Sequence, residues 1–410
     1  MSNKEIIALY TKKKDCCGCG ACMNICPKAA ITMEKDKYGF IYPGINRELC
    51  VQCGACKNVC AFQNTTIQKS PEKIYAVAGK ADELVSKSSS GGVFSVLAES
   101  VLESGGCVCG AVMLKEEGKS DDKRQWKVRH VICESKEYLY MLQGSKYVQS
   151  SMGTVFKDIR ERLKHGQMVL FSGTPCQSDA LKAFLKHAYE NLIIVDIVCH
   201  GVPSEQFFND YVKNLEKEIG GEIIDFKFRD KSSGWGSKTA KIRYIDTNKN
   251  ICQRSISQSV SSYYSLFMES QICRENCRRC KYACKERVGD ITIGDYWGIE
   301  EAHPEQLKQS GGALSEEKGV SVMLLNTEKG LRFFETVQNE FYYCESVFEK
   351  ASKYNTQLVH PANSVKARRV VLELYRIWGY CAVERYFEIY VKAKAIKRKL
   401  RSMKISDDNK

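Results

Sequence analysis

The sequence has no apolar run long enough to span a membrane. Its best candidate, LIIVDIV at 192–198, is interrupted by Asp196 and has the length of a strand, whereas a spanning helix needs about 20 apolar residues. A soluble chain is expected. The N-terminal stretch MSNKEIIALYTKKKD lacks the apolar core and cleavage site of an export signal, so a disulfide framework is not expected, and the 21 cysteines imply a reducing cytoplasm. There is no solenoid repeat and no low-complexity tract. No recognition module accompanies the positive charge, which argues against nucleic acid as a partner. What remains is a globular chain of 410 residues, 43% of them hydrophobic, enough for about two to four domains.

The N-terminal 60 residues hold two copies of one cysteine spacing. Cys16, Cys19, Cys22 and Cys26, followed by Pro27, read C-x2-C-x2-C-x3-C-P, and Cys50, Cys53, Cys56 and Cys60 repeat the spacing without the proline. Three thiolates so spaced wrap a short loop around an iron–sulfur cube, and the fourth cysteine of each run ligates the other cluster. Cys16, Cys19, Cys22 and Cys60 are therefore expected to hold one 4Fe-4S cluster, and Cys50, Cys53, Cys56 and Cys26 a second. Structural zinc fits less well, because a third cysteine three residues on crowds a tetrahedral site. Cys17 falls outside the register and reads as a spare thiol.

The formal charge of +13 overstates how basic the loaded protein is, since each oxidised cube with its four thiolates carries about −2. From Lys366 to Lys404 the chain has 12 Lys or Arg against Glu373, Glu384 and Glu388, so +9 of the +13 lies in the C-terminal tail. That tail has helical periodicity, with Val371, Leu374, Ile377 and Trp378 on overlapping faces, then Tyr386, Ile389 and Tyr390. Such a segment either caps the fold with a solvated basic face, or lies peripherally on an anionic membrane or an acidic partner.

Four stretches follow from the pattern. Residues 1–65 form a two-cluster 4Fe-4S ferredoxin-type domain, with QNTTIQKSPEK at 63–73 as linker. Residues 66–150 begin with strand 74–80, continue through a helix within 88–106 that is stopped by Gly105 and Gly106, and end with strands 107–114 and 126–132. Residues 151–345 alternate helix and strand: helix 152–164, strand 167–173, a helix capped by Thr174 with Pro175 at its first position, strand 192–198, and a helix starting near Pro203 and Ser204. An antiparallel meander at 222–256 and a strand at 319–326 complete this part, and 346–410 is the basic helical tail. Two successive β-α units imply a parallel sheet. The fold class is thus α+β to α/β: a small ferredoxin-like domain, then a mixed α/β domain, then helices.

Three sites converge on the carboxyl edge of that sheet, where open α/β sheets bind ligands. Cys176 and Cys199 lie there, either as reactive or ligating thiols or as small buried residues. Ser88-Ser89-Ser90-Gly91-Gly92, at a helix start, either lets backbone amides approach a phosphate or flavin, or is a tight turn that needs glycine. The run CRENCRRCKYAC, with Cys273, Cys277, Cys280 and Cys284, has the density of a third iron–sulfur cluster, zinc being its rival. Its fourth ligand is open, with Cys273 first, then Cys176 and Cys199. The surrounding Arg274, Arg278, Arg279, Lys281, Lys285 and Arg287 either offset cluster charge and steer an acidic partner, or form a solvated face.

SSSGGVFS at 88–95, GSKYVQS at 144–150, FSGTPCQ at 171–177, DIVCHGVPS at 196–204 and VGDITIGDYWG at 288–298 together resemble the coenzyme F420 hydrogenase/dehydrogenase beta-subunit family, over about residues 70–330. The resemblance implies a flavin, FAD more than FMN, passing electrons between iron–sulfur clusters and a substrate stacked on its ring. It makes Ser89, Ser90, Gly91, Gly92, Lys146, Tyr147 and Gln149 flavin-site candidates, with Lys146 the catalytic one, stabilising negative charge on the reduced ring. On this reading Gly91→Trp blocks flavin approach without unfolding the chain. Expected partners are ferredoxin or another redox subunit and a small hydride acceptor or donor such as deazaflavin F420. The competing reading is a non-catalytic electron-transfer subunit of a larger redox complex.

Overall fold

The computed structural model describes residues 8–64, 68–117, 124–362 and 367–408; residues 65–67 of the expected linker lie outside them. The N-terminal module pairs β1 (Ile31–Lys35) with β2 (Ile41–Ile45) antiparallel. Each cysteine run enters a short helix, Ala21–Ile25 and Ala55–Asn58, through a glycine in the left-handed region, Gly20 at φ 76° and Gly54 at φ 75°. The two loops therefore share one backbone course as well as one spacing, and glycine adopts that φ without the steric cost other residues meet.

The body is built on β3 (Lys73–Gly79), β4 (Cys107–Glu116), β5 (Gln125–Cys133), β6 (Val169–Gly173) and β7 (Leu192–Ile197). A separate three-stranded sheet, β8 (Gly221–Asp230), β9 (Thr239–Asp246) and β10 (Ile251–Ser257), interrupts the chain before β11 (Ile291–Asp295), β12 (Ser321–Leu325) and β13 (Phe341–Glu345). The large sheet runs β13-β3-β12-β11-β7-β6-β4-β5. Its middle, β4, β6, β7 and β11, is parallel, and the outer pairings are antiparallel. Both faces are covered. Leu170, Ile193 and Val195 face helices Val93–Glu103 and Glu328–Val337, while Val169, Phe171, Leu192 and Ile194 face Val155–Lys164 and Pro175–Leu185. The near-continuous apolar run at 192–195 follows from this, because a central parallel strand is buried on both sides.

Local signals place the helices. Thr174 and Gln177 form a capping box with Pro175 in the first turn, and the Ser204 side chain caps Glu205–Ile219 by accepting from Phe207 N. The second core is aromatic: Phe207, Phe208, Tyr211, Phe226, Phe228, Tyr263 and Phe267 join the small sheet to the C-terminal helices. Each such side chain contributes about 1.5–3 kcal/mol by burial.

The tail forms two helices, Ala367–Trp378 and Tyr380–Asp408, broken at Gly379 with φ 71°. The face it buries differs from the periodicity-based expectation. Val371, Leu372, Tyr375, Tyr380, Val383 and Phe387 are inside, whereas Ile377, Trp378 and Ile389 are exposed. The break at Gly379 resets the helical phase, so one continuous wheel misassigns both halves. Among the described residues no helix is long and apolar enough to cross a membrane.

Candidate redox site

Tertiary contact groups the N-terminal cysteines across the two runs. Cys16, Cys19, Cys22 and Cys60 lie within electrostatic reach of one another, and burial pushes the Cys16 thiol up to about 11, with Cys19 and Cys60 adding to the rise. Cys26, Cys50, Cys53 and Cys56 line one apolar cavity with Pro27, Ala30, Ile31 and Ile45. N–H groups point at the sulfurs, Ala30 N to Cys26 Sγ at 3.3 Å and Gln63 Nε2 to Cys60 Sγ at 3.3 Å. Among the described residues no three His, Cys, Asp or Glu side chains converge at single-ion spacing.

A third group forms at the carboxyl edge of the large sheet, and its membership differs from that of the linear run. Cys277 and Cys280 meet Cys176, which follows β6, and Cys199, which follows β7. Burial raises Cys277 to about 11 and Cys280 to about 12, and raises Cys199 as well. Backbone N–H groups of Gly201, Val202 and Tyr282 hydrogen-bond to Cys199, Cys277 and Cys280 and partly offset the effect of burial. Cys176 is held below the usual thiol range by a hydrogen bond from Cys17, with Thr174 Oγ1 at 3.2 Å assisting.

Cys284, expected with this group, is engaged elsewhere, whereas Cys273 stays beside Cys277, its Sγ 3.0 Å from where a Cβ on Gly201 would stand. Cys273 is fully buried, and Arg368 Nε donates to its backbone carbonyl at 2.7 Å. Cys284 hydrogen-bonds Gln68 Oε1 at 3.2 Å and Glu286 O at 3.2 Å. The reason is topological: β6 and β7 are adjacent in the sheet, so residues just past their ends meet, which linear spacing does not reveal.

Cys17 is no bystander. It is buried, and its thiol lies within interaction range of both Cys19 of the N-terminal group and Cys176 of the sheet-edge group. Of the basic residues nearby, Arg274 is fully buried, Arg287 pairs with buried Asp196 at 3.1 Å, and Lys281 donates to the carbonyls of Ala61 and Asn64. These three belong to the interior and the module junction rather than to a solvated face.

The flavin candidates are spread along one segment. Ser89 Oγ accepts from Ser145 N and Oγ, both at 2.8 Å, and Ser90 Oγ donates to Val320 O at 3.0 Å. Gly91 N donates to Ser321 Oγ at 2.9 Å, and Gly92, at φ 83°, opens helix Val93–Glu103. A Cβ on Gly91 would stand 2.5 Å from Val77 O, so the sheet itself fills that space. Gly91→Trp therefore disrupts the fold, contrary to the expectation above.

Lys146 differs as well. Its Nζ donates to the carbonyls of Met141, Leu142 and Gln143 at 3.0, 2.9 and 2.7 Å, closing the helix Leu139–Leu142, and burial lowers its pKa to about 7. All three donors are used within the chain. The Tyr147 ring stacks on Phe267 at 4.7 Å. Gln149 lies at the cysteine junction, with Nε2 donating to Cys17 O at 3.2 Å and Oε1 accepting from Arg274 at 3.2 Å. The segment 144–150 thus runs from the Ser-Gly-Gly turn to the cysteines.

Residues not singled out in the sequence complete this edge. Lys231 Nζ donates to Ser90 O at 2.8 Å, Asp295 accepts from Arg229 at 3.0 Å and from Trp235 Nε1 at 2.8 Å, and Trp235 stacks on Trp297 at 4.6 Å. Asp295 and Trp297 sit within VGDITIGDYWG, which was the available signal. A groove of about 730 Å³ along β5 and the helix Val155–Lys164 contains none of the site residues named above.

These features define a class: a two-cluster iron–sulfur module packed against a mixed α/β domain with a further thiol group at its sheet edge. Comparison with known sequences names the family. The 4Fe-4S dicluster domain matches residues 15–64, and the coenzyme F420 hydrogenase/dehydrogenase beta subunit matches with its N-terminal part at 74–157 and its C-terminal part at 166–350. The chain belongs to that beta-subunit family, as an iron–sulfur redox protein. Among solved structures it is similar to a chain of the F420-reducing [NiFe] hydrogenase complex from Methanosarcina barkeri, at 14% identity and a TM-score of 0.41, over 75% of this chain and 93% of that one. No curated protein matches it significantly.

Proposed function

We propose that the chain is a flavin- and iron–sulfur-dependent oxidoreductase that moves electrons between ferredoxin-type 4Fe-4S clusters and a small hydride acceptor or donor, an F420-type deazaflavin or another. The observation carrying this reading is the meeting of Cys176, Cys199, Cys277 and Cys280 at the sheet edge, joined through Cys17 to the group Cys16, Cys19, Cys22 and Cys60. Bound clusters supply one-electron carriage, and a flavin supplies the exchange between single electrons and a hydride. The chain's own part is to hold the thiol sets, the Cys26/Cys50/Cys53/Cys56 set nearest solvent, to direct N–H groups at the sulfurs, and to carry segment 144–150 from the junction to Ser89. The family match, the buried cysteines and the ligand-binding edge of the sheet all support it. A redox protein is the proposed partner and the cytoplasm the proposed compartment.

The test is anaerobic purification of the full chain, with iron analysis, mass spectrometry of released cofactor, and reduction by dithionite-reduced ferredoxin. About twelve irons per chain, one flavin and ferredoxin-linked flavin reduction are expected. About eight irons, or no flavin, overturns the corresponding part. One observation favours the second reading, a non-catalytic electron-transfer subunit: Lys146 and Gly91 are engaged by the chain itself. Twelve irons without flavin or turnover in the isolated chain would select it.

A further inference from the structure

Arg274 is the largest fully buried side chain among the described residues, at 0% exposure. Its guanidinium is always charged, yet no carboxylate pairs with it among the described residues. Nε donates to Cys16 O at 3.1 Å, Nη1 to Gln149 Oε1 at 3.2 Å, and Nη2 points at Cys16 Sγ at 3.9 Å, while the ring of Tyr42 lies 4.0 Å from Cζ. Its backbone N donates to Val202 O at 2.8 Å, which fixes it at the start of the turn carrying Cys277. An uncompensated buried charge costs several kcal/mol. The anion that offsets it must be close.

Among the described residues no ion pair forms with Arg274, and the groups it acts on are the Tyr10 and Tyr42 phenols and thiols from two sets. Arg274 acts electrostatically on Cys16 of the N-terminal group, and on Cys176 and Cys277 of the sheet-edge group. Gln149 holds the guanidinium with its carbonyl oxygen and Cys17 O with its amide, so the cation and the bridging thiol are fixed by one side chain.

We propose that Arg274 is a positioning residue shared by two clusters: one buried cation that raises the reduction potentials of both the Cys16/Cys19/Cys22/Cys60 centre and the Cys176/Cys199/Cys277/Cys280 centre, and so keeps them matched. The proposal rests on the sheet-edge group holding a cluster, as in the function proposed above. The physical basis is general. Cluster potentials follow net charge and hydrogen bonding to sulfur, and a fixed cation in a low dielectric favours the more negative, reduced form. Matched potentials let an electron cross the junction in either direction.

The experiment is an EPR-monitored redox titration of the full chain, comparing the parent with Arg274→Gln and Arg274→Lys. With Gln, the reduction equilibria of two clusters should each fall at least tenfold, about 59 mV for a one-electron couple, while the Cys26/Cys50/Cys53/Cys56 centre stays unmoved. Lysine should restore most of both shifts. No shift, a shift of one centre only, an equal shift of all three, or a Lys variant as displaced as the Gln variant each overturns the sharing. If Arg274→Gln loses iron, Gln149→Leu replaces it, with smaller downward shifts of the same two centres expected and unchanged potentials overturning the idea. A parent with about eight irons sinks the sheet-edge cluster itself and the sharing with it, whereas about twelve irons without paired shifts sinks the sharing alone.

Discussion

The two cysteine-rich regions are built in opposite ways. In residues 16–60 the proposed ligands fall in two short runs of one spacing, and two glycines at identical positions shape both loops. At the sheet edge the group comes from three segments: Cys176 and Cys199 meet because β6 and β7 are adjacent and parallel, and the turn with Cys277 and Cys280 is tied to them by Arg274 N donating to Val202 O. A local motif is written in spacing, whereas an assembled one is written in strand order.

That contrast can be broken most directly at the cysteines. Cys199→Ala should remove about four irons and leave the two N-terminal clusters intact, while Cys284→Ala should leave iron unchanged; iron analysis with EPR decides. Equal losses from both variants would return the third group to the linear run. The strand order is tested next by Arg287→Met. It strands Asp196, buried at 0% between β7 and β11, where Thr292 Oγ1 and Gly289 N also donate to it at 2.6 and 2.8 Å. Removing one partner of a buried pair costs about 3–5 kcal/mol, to be read from chemical denaturation.

A pH series sharpens the same point. His130, on β5, is buried against Phe171, and burial lowers its pKa to about 4 from a usual 6.5. The unfolded chain therefore binds the proton first as pH falls. Stability should decline from pH 6.5 towards pH 4, by as much as about 3 kcal/mol from this residue. His130→Gln should flatten that part of the curve, and an unchanged slope would place the acid sensitivity elsewhere. Gly91→Ala should cost about 1–3 kcal/mol, since its Cβ meets Val77 O and Ser321 N. The smallest effect belongs to the exposed pair Lys87–Glu83, at 2.6 Å, where alanine at Lys87 should leave the melting midpoint essentially unchanged.

Much of the fold was legible where chemistry is local. The caps at Thr174 and Ser204, the strands at 107–116, 169–173 and 192–197, and the meander of β8 to β10 all follow from patterns a few residues long. What was not legible depends on partners distant in sequence. β3 lies between β12 and β13, more than two hundred residues later, and no periodicity announces such a pairing. Lys146 looked like a cation free to meet a ligand; only the carbonyls it caps reveal how its donors are spent. Cys17 read as spare because its two partners, Cys19 and Cys176, lie in separate segments.

The docked tail has a consequence for handling. Arg368 reaches the carbonyl of Cys273, Glu373 takes a hydrogen bond from Tyr38, and Tyr380 and Phe387 close the aromatic core behind Cys277. The tail therefore spans the N-terminal module and the body and packs behind the turn that carries Cys277. A chain ending at Pro361 should keep its iron under argon but bleach faster in air, with the visible absorbance of the sheet-edge centre lost first. Equal bleaching rates would make the tail a buttress rather than an oxygen shield.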